Sequence, residues 1–422
     1  MTSVFLFHRD FRTIDNKSLY ELHQLSSTII PIFIFTPDQI DPSKNPYYNE
    51  TSVEFMINAL RGILHIQLFY GPIEDVLSSI FKLNRINHLG FNLDYTPYAK
   101  ERTEKVRNVC QQYNINMVTK EDYTLLQVSQ YRNGSFYKVF KPFYESVIKQ
   151  PIPTPYQSSI PLSKQILEID SGYKLKYKLK YDTIERTEAL RILSLRRQYK
   201  EYDTERNIPS IETTHLSKHI KFGTVSIREV YNAFKQNTEL ARQIVWHDFY
   251  ACLMYFLPVS DTIGGGNVQH KRIKWVDNEE QFMAWCNGQT GFPIIDAGMR
   301  QMNETGWMHN RVRLLVSNFL SLVLKIDWRK GERYFAQKLV DYDVTSNNLN
   351  WQFSAQVGTD RNPFTRIYNP FTQSEKYDKE CLYIKRWVKE LESVPCKDIH
   401  KWYKKYDQYQ VYQKPIVDKY SK

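Results

Sequence analysis

The spacing of apolar residues changes along this chain, and that change constrains the fold more than any other feature. In the first 125 residues, short β-branched or aromatic runs alternate with longer stretches that carry apolar residues at helical spacing. The runs are residues 3–7, 28–35, 66–70 and 88–93, and the helical stretches are residues 53–64, 73–83 and 99–113. Such alternation predicts an open parallel α/β sheet whose strands are joined by helices.

The remainder of the chain follows a different pattern. Between residues 126 and 190 the alternation stops and prolines cluster, which predicts a long connection between domains. Beyond it the pattern is helical nearly throughout, with a flexible glycine loop predicted at 264–266. The helical segments are 188–199, 226–235, 241–257, 279–287, 296–304, 310–324 and 331–339. We therefore predict an α/β domain at 1–125, a linker at 126–190 and an all-α domain at 191–422.

The charge balance favours a polyanionic partner. The chain has 57 Lys and Arg against 46 Asp and Glu, a net charge of +11 and a pI of about 9.1. A basic surface attracts phosphate and releases condensed counterions when nucleic acid binds. A basic protein with no such partner is the alternative that charge alone leaves open.

Cysteine usage and hydropathy indicate the compartment. The five cysteines are scattered and never form a C-x-x-C pair, which favours free thiols in a reducing compartment over a disulfide framework or a zinc site. No apolar run approaches the roughly 18 residues that span a bilayer, and the first residues lead straight into a strand pattern. We expect a soluble intracellular monomer, in the cytoplasm or nucleus, with no membrane and no metal partner.

The common enzyme motifs are absent, but the second half contains a dense block of another kind. There is no G-x-S-x-G elbow, no Walker loop and no H-E-x-x-H. The block reads TGFPIIDAGMRQMNETGWMHNRVR at 290–313, IDWRKGERYFAQKLVDYDVTSNNLNWQF at 326–353 and GTDRNPFTRIYNPFTQSEKYD at 358–378. Two earlier segments accompany it, FLFHRDFRTIDNKSL at 5–19 and TTHLSKHIKFGTVSIREVY at 213–231.

These segments resemble the photolyase/cryptochrome family over nearly the whole chain, and most closely a class I cyclobutane pyrimidine dimer photolyase. The resemblance implies an N-terminal parallel Rossmann-like α/β domain, a long linker and a C-terminal helical FAD-binding domain. It also implies light-dependent repair of UV-damaged DNA by electron transfer from photoexcited FADH⁻. The alternatives are a cryptochrome-like blue-light photoreceptor, a (6-4) photoproduct photolyase and a basic DNA-binding protein that has lost its cofactor.

The resemblance assigns one group of residues to FAD. Hydroxyls followed by a helix start, as at 213–217, suit a diphosphate, and an Arg–Asp pair under the flavin ring would tune it, although a structural salt bridge is the alternative. Asn347 corresponds to the residue that faces flavin N5, where plant cryptochromes carry Asp. A neutral amide cannot donate a proton as an acid would, which favours the reduced anionic flavin. The predicted FAD residues are Tyr202, Thr213, Thr214, His215, Leu216, Ser217, Arg313, Asp341, Tyr342, Asp343 and Asn347.

Three tryptophans match the family's electron-transfer chain. Trp275, Trp328 and Trp351 correspond to the residues that carry electrons to the photo-oxidised flavin. With Asn347 they form the predicted catalytic set. Core packing is the alternative for any one tryptophan in a helical protein.

A second group of residues is implied to bind the lesion and its DNA. Trp246 and Tyr250 are four residues apart, so they share one face of a predicted helix. Asn310 stands where (6-4) photolyases carry a second histidine, which favours cyclobutane dimers. Gln243, His247 and Phe353 depart from the usual Glu, Arg and Trp of dimer photolyases, and Gln also occurs in (6-4) enzymes. The predicted set is Arg206, Gln243, Trp246, His247, Tyr250, Asn310, Arg311, Phe353 and Gln373, with Arg361, Arg366, Lys376 and Lys379 as further basic or polar surface.

The first domain carries one further resemblance. Residues 94–102, DYTPYAKER, are similar to the family's segment beside a second, light-harvesting chromophore. The Asn–Glu pair that contacts folate in some members is not evident. A folate, a deazaflavin, a flavin and no pigment at all are the alternatives.

Overall fold

The computed structural model describes residues 1–133, 135–175, 180–257, 273–358 and 367–418. Its contacts separate two compact units. The first contains Met1–Gln198 and His215–Leu257, and the second contains Tyr199–Thr214 and Pro258–Lys422. The predicted domain limits at 125 and 190 stay a prediction. Residues 264–266, predicted as a glycine loop, lie outside the described residues.

The first unit is built on a five-stranded parallel sheet. Its strands are β1 (Thr2–Leu6), β2 (Thr28–Phe35), β3 (Gln67–Tyr70), β4 (His88–Leu93) and β5 (Asn116–Glu121), in the order β3-β2-β1-β4-β5. Helices on a parallel sheet bury both of its faces, so the strands read as near-continuous apolar runs, and β2 (TIIPIFIF) is buried at every residue after the first. The predicted α/β sheet is confirmed. The order reverses between β1 and β4, where ligands of such sheets bind outside the carboxyl ends of the strands.

Helices and a short antiparallel strand pair complete the described part of this unit. The paired strands are β6 (Arg132–Asn133) and β7 (Ser135–Phe136). The helices are α1 (Lys17–Leu25), α2 (Pro37–Ile40), α3 (Glu50–Leu60), α4 (Ile73–Leu83), α5 (Pro97–Gln112), α6 (Phe140–Val147), α7 (Ile184–Ser194), α9 (Ser217–Phe222), α10 (Ile227–Phe234) and α11 (Thr238–Phe256), while α8 (Tyr202–Glu205) belongs to the second unit.

Buried charges fix α10 to the sheet. The guanidinium of Arg228 lies 2.6 Å from Asp122 and 3.0 Å from Asp15, and Arg12 also pairs with Asp122. All four side chains are almost completely buried. Because a buried charge is tolerated only when it is paired and hydrogen-bonded, this network specifies how the C-terminal part of the unit joins the sheet.

The second unit is helical and has one large hydrophobic core. Its remaining helices are α12 (Glu279–Cys286), α13 (Pro293–Thr305), α14 (Asn310–Asn318), α15 (Trp328–Lys338), α16 (Val344–Ser354), α17 (Pro370–Tyr377), α18 (Leu382–Trp387), α19 (Cys396–Ile399) and α20 (Tyr406–Tyr409), with a π-helical turn at Phe319–Val323. Gly331 lets α15 approach α16 closely, since a Cβ there would lie 2.3 Å from the Trp351 ring. Among the described residues, no helix combines the length and apolar character that crossing a bilayer requires.

Several elements differ from the sequence-based expectation. Strands β2 and β4 and helix α4 have the predicted limits, whereas α1, β5, α6 and α16 are not predicted by the apolar pattern. Helix α16 (VTSNNLNWQFS) is rich in β-branched residues and asparagine, which are poor helix formers. Its buried Leu349 and Trp351 show that tertiary packing overrides this low propensity.

Candidate functional site

In the second unit, an ion pair joins α14 to the turn between α15 and α16. The Nη2 atom of Arg313 lies 2.9 Å and 3.1 Å from the two carboxylate oxygens of Asp341, and its Nε donates to the Met308 carbonyl at 2.7 Å. The Asp341 side chain is only 3% exposed. The predicted Arg–Asp pair is therefore present, with a carboxylate that is fixed before any ligand binds.

The second predicted aspartate has a different local role. Asp343 is the N-cap of α16, and its side chain accepts a hydrogen bond of 2.9 Å from the backbone N–H of Ser346. A carboxylate at this position satisfies an otherwise unpaired helix N–H and is favoured by the helix dipole. Asp343 thereby sets where α16 begins and which residues follow on its first turn.

Asn347, on that first turn, is held by a buried carboxylate that the sequence patterns did not select. Its Nδ2 donates to Glu332 Oε1 at 3.3 Å, and the Tyr342 hydroxyl donates to the same oxygen at 2.8 Å. Glu332, on α15, is 3% exposed. Burial raises the pKa of Glu332, opposed by its hydrogen bonds to Tyr342 and Asn347. Because the amide nitrogen faces Glu332, the Asn347 carbonyl oxygen is directed away from it.

Nothing in the apolar pattern distinguishes Glu332. It lies on α15 inside the block that carries the family resemblance, but it belongs to no motif that implies a role. The only signal in the sequence is a carboxylate next to a glycine on a helix. Because the sequence contains 46 acidic residues, this signal does not single out Glu332. Its function becomes visible only once α15 and the start of α16 are placed side by side.

The three predicted electron-transfer tryptophans all belong to the core of the second unit. Trp328 and Trp351 are buried, and Trp275 is half-buried against the same core. The Trp351 ring packs 4.9 Å from Phe335 and 6.1 Å from Trp285, measured between centroids. Trp285 is equally buried, and its indole N–H donates to the Val316 carbonyl at 3.1 Å. Burial alone therefore does not single out the predicted three.

The segment predicted to hold the diphosphate is divided between the two units. Thr213 and Thr214 end a stretch of the second unit, which also contains Tyr202 at the start of α8. His215 begins the next part of the first unit in a left-handed conformation, with φ of 51°. Leu216 is the N-cap of α9, which starts at Ser217, so the predicted helix start is present and is capped by an apolar residue.

Helix α11 of the first unit presents the predicted lesion aromatics. Trp246 and Tyr250 have their ring centroids 5.6 Å apart at an angle of 28°, as expected for residues four apart on a helix. Gln243 and Trp246 are half-buried. These side chains provide one flat apolar surface with an amide group one turn away.

His247, on the same helix, is engaged within the first unit. Its Nδ1 lies 3.1 Å from Asp248 Oδ1, and its ring centroid is 4.5 Å from that of Tyr123. Asp248 is fully buried and also accepts hydrogen bonds from the Leu125 N–H at 2.8 Å and from the Tyr131 hydroxyl. The histidine that stands in place of the usual arginine is thus packed and paired in this structure.

The other predicted DNA-binding residues belong to the second unit. Asn310 is exposed at the start of α14, and Phe353 is 39% exposed. The Arg311 guanidinium donates to the Asn207 side chain and lies 4.7 Å from the Tyr377 ring centroid. Arg206 follows α8 and Gln373 lies on α17, both half-buried. Arg361 and Arg366 lie outside the described residues.

A pocket lined by both acidic and basic side chains lies at the carboxyl edge of the parallel sheet. Its lining includes His8, Arg9, Asp94 and Tyr123, which follow β1, β4 and β5. Arg102, 6% exposed, is close to His8, and burial together with the Arg102 charge lowers the pKa of His8. Within the described residues, neither ring nitrogen of His8 nor the Nε and Nη2 of Arg102 has a hydrogen-bond partner. The unpaired N–H groups of the Arg102 guanidinium suit an anionic ligand.

Comparison with known proteins agrees with both parts of the fold. A family model described as DNA photolyase matches residues 3–158, and one described as the FAD binding domain of DNA photolyase matches residues 240–422. The deoxyribodipyrimidine photo-lyase of Alkalihalophilus pseudofirmus is 31% identical, over 98% of this chain and 94% of that protein. The chain belongs to the photolyase/cryptochrome family. FAD is therefore its cofactor, and light-dependent DNA repair is its activity.

Two solved photolyases have the same fold over nearly their whole length. An archaeal photolyase from Sulfolobus tokodaii, crystallised with two FAD molecules, is 36% identical with a TM-score of 0.84, covering 99% of this chain and 96% of that one. A class III photolyase from Agrobacterium tumefaciens is 28% identical with a TM-score of 0.85, covering 99% and 95%. The predicted combination of an α/β and an all-α region is thereby confirmed.

The raised pKa of Glu332 predicts a pH-dependent difference between the wild type and Glu332→Gln. A carboxyl whose pKa is raised in the folded state stabilises the fold fully below its unfolded pKa of about 4.3, and this contribution is lost as pH rises through the folded pKa. The neutral amide has no such loss. Between pH 4 and 8, the free energy of unfolding of the variant, measured with urea, should therefore rise relative to that of the wild type. The rise should be about 1.4 kcal/mol for each unit by which the folded pKa of Glu332 exceeds its unfolded pKa.

The matched control is Glu304→Gln, which removes an exposed carboxylate on α13. The difference in free energy of unfolding between Glu304→Gln and the wild type should stay nearly constant over the same pH range. A Glu332→Gln profile that runs parallel to the wild type would contradict a raised pKa in the folded protein.

Proposed function

We propose that this photolyase repairs cyclobutane pyrimidine dimers in DNA, as a class I deoxyribodipyrimidine photo-lyase. The observation that supports repair over photoreception is the neutral amide of Asn347, held by the buried Glu332 at the family's flavin N5 position, while Asn310 supports the choice of lesion. Relatives with this activity match nearly the whole chain. When bound, reduced FAD supplies a light-driven electron that opens the cyclobutane ring and is then regained, so the reaction has no net redox change.

The residues of the second unit fit the polar edge of a flavin. That edge carries N–H donors as well as carbonyl acceptors. The described side chains offer acceptors at Asp341, Asp343 and the Asn347 carbonyl oxygen, and a donor at Arg313. The ion pair with Arg313 holds the Asp341 carboxylate in place, where it can accept a hydrogen bond from a flavin N–H. We assign the ring to these four residues with Tyr342, and the diphosphate to Tyr202, Thr213, Thr214, His215, Leu216 and Ser217.

Asn347 acts through the orientation of its amide. Ionised or neutral, Glu332 offers a carboxyl oxygen to the Asn347 NH₂ group, so the two ends of the amide are not interchangeable. The carbonyl oxygen then remains to accept a hydrogen bond at flavin N5. An acceptor at that point stabilises a protonated nitrogen, which is the form present in the fully reduced flavin.

Residues of each unit are proposed to contact the lesion or its DNA. Trp246 and Tyr250 supply the flat surface against which a flipped pyrimidine can stack. Gln243 offers an amide to a pyrimidine edge. In the second unit, the exposed ring of Phe353 offers an apolar contact. The remaining proposed contacts are Asn310 to the lesion and Arg206, Arg311 and Gln373 to the backbone, which position a duplex without reading its sequence.

His247 stays a predicted DNA contact, but its surroundings support a different role. Its pairing with Asp248 and its packing on Tyr123 hold α11 against the loops that follow the sheet. Reaching DNA would require the ring to leave both partners. The loss of the usual arginine is therefore expected to weaken DNA affinity rather than the chemistry.

We further propose that the pocket at the sheet edge binds the second chromophore. The buried Arg102 close to His8 favours a pigment with an anionic group, and a flavin nucleotide provides one in its phosphate. The predicted segment 94–102 contains Arg102 and contributes Asp94 to the pocket lining. A deazaflavin and a folate are the alternatives.

Metal dependence, oligomeric state and cellular location also form part of the proposal. Among the described residues, no group of three or more His, Cys, Asp or Glu is arranged to hold a metal ion, and we propose that the enzyme needs none. We propose that it acts as a monomer inside the cell. Assignment to the cytoplasm or the nucleus stays open.

Lesion specificity is tested by illuminating the reduced holoprotein with DNA that carries one lesion at a time. Asn310 predicts repair of cyclobutane dimers and no measurable repair of (6-4) photoproducts. Product is measured by chromatography of enzymatically digested DNA. Preferential repair of the (6-4) lesion would overturn the proposal, and Gln243 is the residue that favours this outcome because Gln also occurs there in (6-4) enzymes. Bound flavin without repair of either lesion would favour a photoreceptor.

The tryptophan chain is tested by Trp351→Phe. Since phenylalanine is much harder to oxidise than indole, photoreduction of the oxidised flavin should fall to near background, while chemically reduced variant retains repair. Trp285→Phe is the matched control, because Trp285 is equally buried in the same core and 6.1 Å from Trp351. Photoreduction is monitored by the flavin absorption at 450 nm. If Trp351→Phe and the wild type are photoreduced equally, Trp351 is not part of the electron-transfer chain.

A further inference from the structure

One face of the Trp246 indole is covered by a phenylalanine from the region between the sheet and the helical part of the chain. The ring centroid of Phe140, on α6, lies 3.5 Å from that of Trp246, and the two planes are inclined by only 6°. This is a parallel, face-to-face contact. A planar ring has two faces, so a base that stacks on Trp246 must use the face opposite Phe140.

Phe140 is itself held firmly. It is 4% exposed, and its ring meets that of Phe249 edge-on at 5.7 Å. The guanidinium of Arg242 lies 5.6 Å from the Phe140 ring centroid. Helix α6 packs against α11 through Phe140 and Phe143, which occupy its buried face. The support behind Trp246 is therefore part of the core, whereas Trp246 is half-buried.

The contact limits the freedom of the indole. A half-buried tryptophan on a helix can change its χ1 and χ2 angles, and ordering such a side chain on binding costs free energy. A parallel aromatic partner fixes the ring plane in the free protein. Affinity gained in this way comes from preorganisation and needs no contact between Phe140 and the ligand.

We infer that Phe140 is a positioning residue for lesion recognition, which holds the Trp246 indole in the plane that receives the flipped pyrimidine dimer. The inference rests on the proposed function, because it takes Trp246 as the lesion-stacking residue. It assigns a role to α6, which lies in the segment 126–190 and matches none of the predicted site residues. Phe140 acts only through Trp246.

Core packing without any effect on recognition is the competing explanation, and α6 offers a matched control for it. Phe143 lies one turn further along the same helix, is fully buried and meets Phe249 at 5.4 Å. Its ring also lies 4.9 Å from that of Tyr131 and 5.9 Å from that of Tyr137, measured between centroids. The substitutions Phe140→Leu and Phe143→Leu therefore remove the same ring from the same helix face, and only the first removes the stack on Trp246.

The experiment measures binding in the dark. Dissociation constants are determined at fixed salt for an oligonucleotide with one thymine dimer and for the same undamaged sequence. The ratio of the two isolates lesion recognition, because phosphate contacts contribute to both. Variants are Phe140→Leu, Phe143→Leu, Trp246→Ala and the Phe140→Leu/Trp246→Ala double variant, with bound flavin per chain recorded for each.

Phe140→Leu should lower the lesion preference about two- to tenfold, the range expected for loss of a stacked aromatic pair. Phe143→Leu should leave the preference unchanged, and flavin content should be the same in both. In the Trp246→Ala background the Phe140 substitution should have no further effect, because the two residues act as one unit.

Two results would overturn the inference while leaving the proposed function intact. In the first, Phe140→Leu and Phe143→Leu lower the preference for the lesion equally, or neither lowers it. In the second, Phe140→Leu lowers the preference by the same factor in the wild type and in the Trp246→Ala background. A wild type that does not prefer the dimer, or a Trp246→Ala variant that prefers it as strongly as the wild type, would instead overturn the proposed role of Trp246 itself.

Discussion

Two donors, the Tyr342 hydroxyl and the Asn347 amide, share one oxygen of a Glu332 carboxyl group that is almost completely buried. Burying a carboxyl is costly unless its oxygens are hydrogen-bonded, so these bonds fix the start of α16 against α15. The same two helices are brought together one residue earlier, where Gly331 admits the Trp351 ring. Asn347, the proposed flavin N5 residue, and Trp351, one of the proposed electron carriers, thus depend on one helix contact.

The two units hold their proposed site residues in place by different interactions. In the second unit, carboxylates orient side chains by hydrogen bonds and an ion pair, as Asp341 does with Arg313. In the first unit, the proposed lesion surface on α11 is supported by aromatic packing from Phe140 and by the buried Asp248. Directional bonds suit a site that must distinguish protonation states, whereas stacking suits one that must present a flat, apolar face.

The parts of the fold that the sequence predicts are those in which local pattern and tertiary environment agree. Strands β2 and β4 have their predicted limits because a doubly covered parallel strand is apolar at every residue. Helices α6 and α16 are missed because nearby prolines mask the first and asparagines weaken the second. The Arg313–Asp341 pair follows from the family resemblance and is present as an ion pair. Glu332 and Phe140 could not be predicted, since each acts only through a neighbour that folding brings to it.

Light-driven repair by this chain is catalytic because the flavin regains its electron after each turnover. Its most direct test counts dimers repaired per bound flavin when anaerobically reduced holoprotein is illuminated with excess dimer-containing DNA and no further reductant. The account predicts many repaired dimers for each flavin, with the flavin still reduced at the end. A yield that stops at one dimer or fewer per flavin, with the flavin left oxidised, would contradict it.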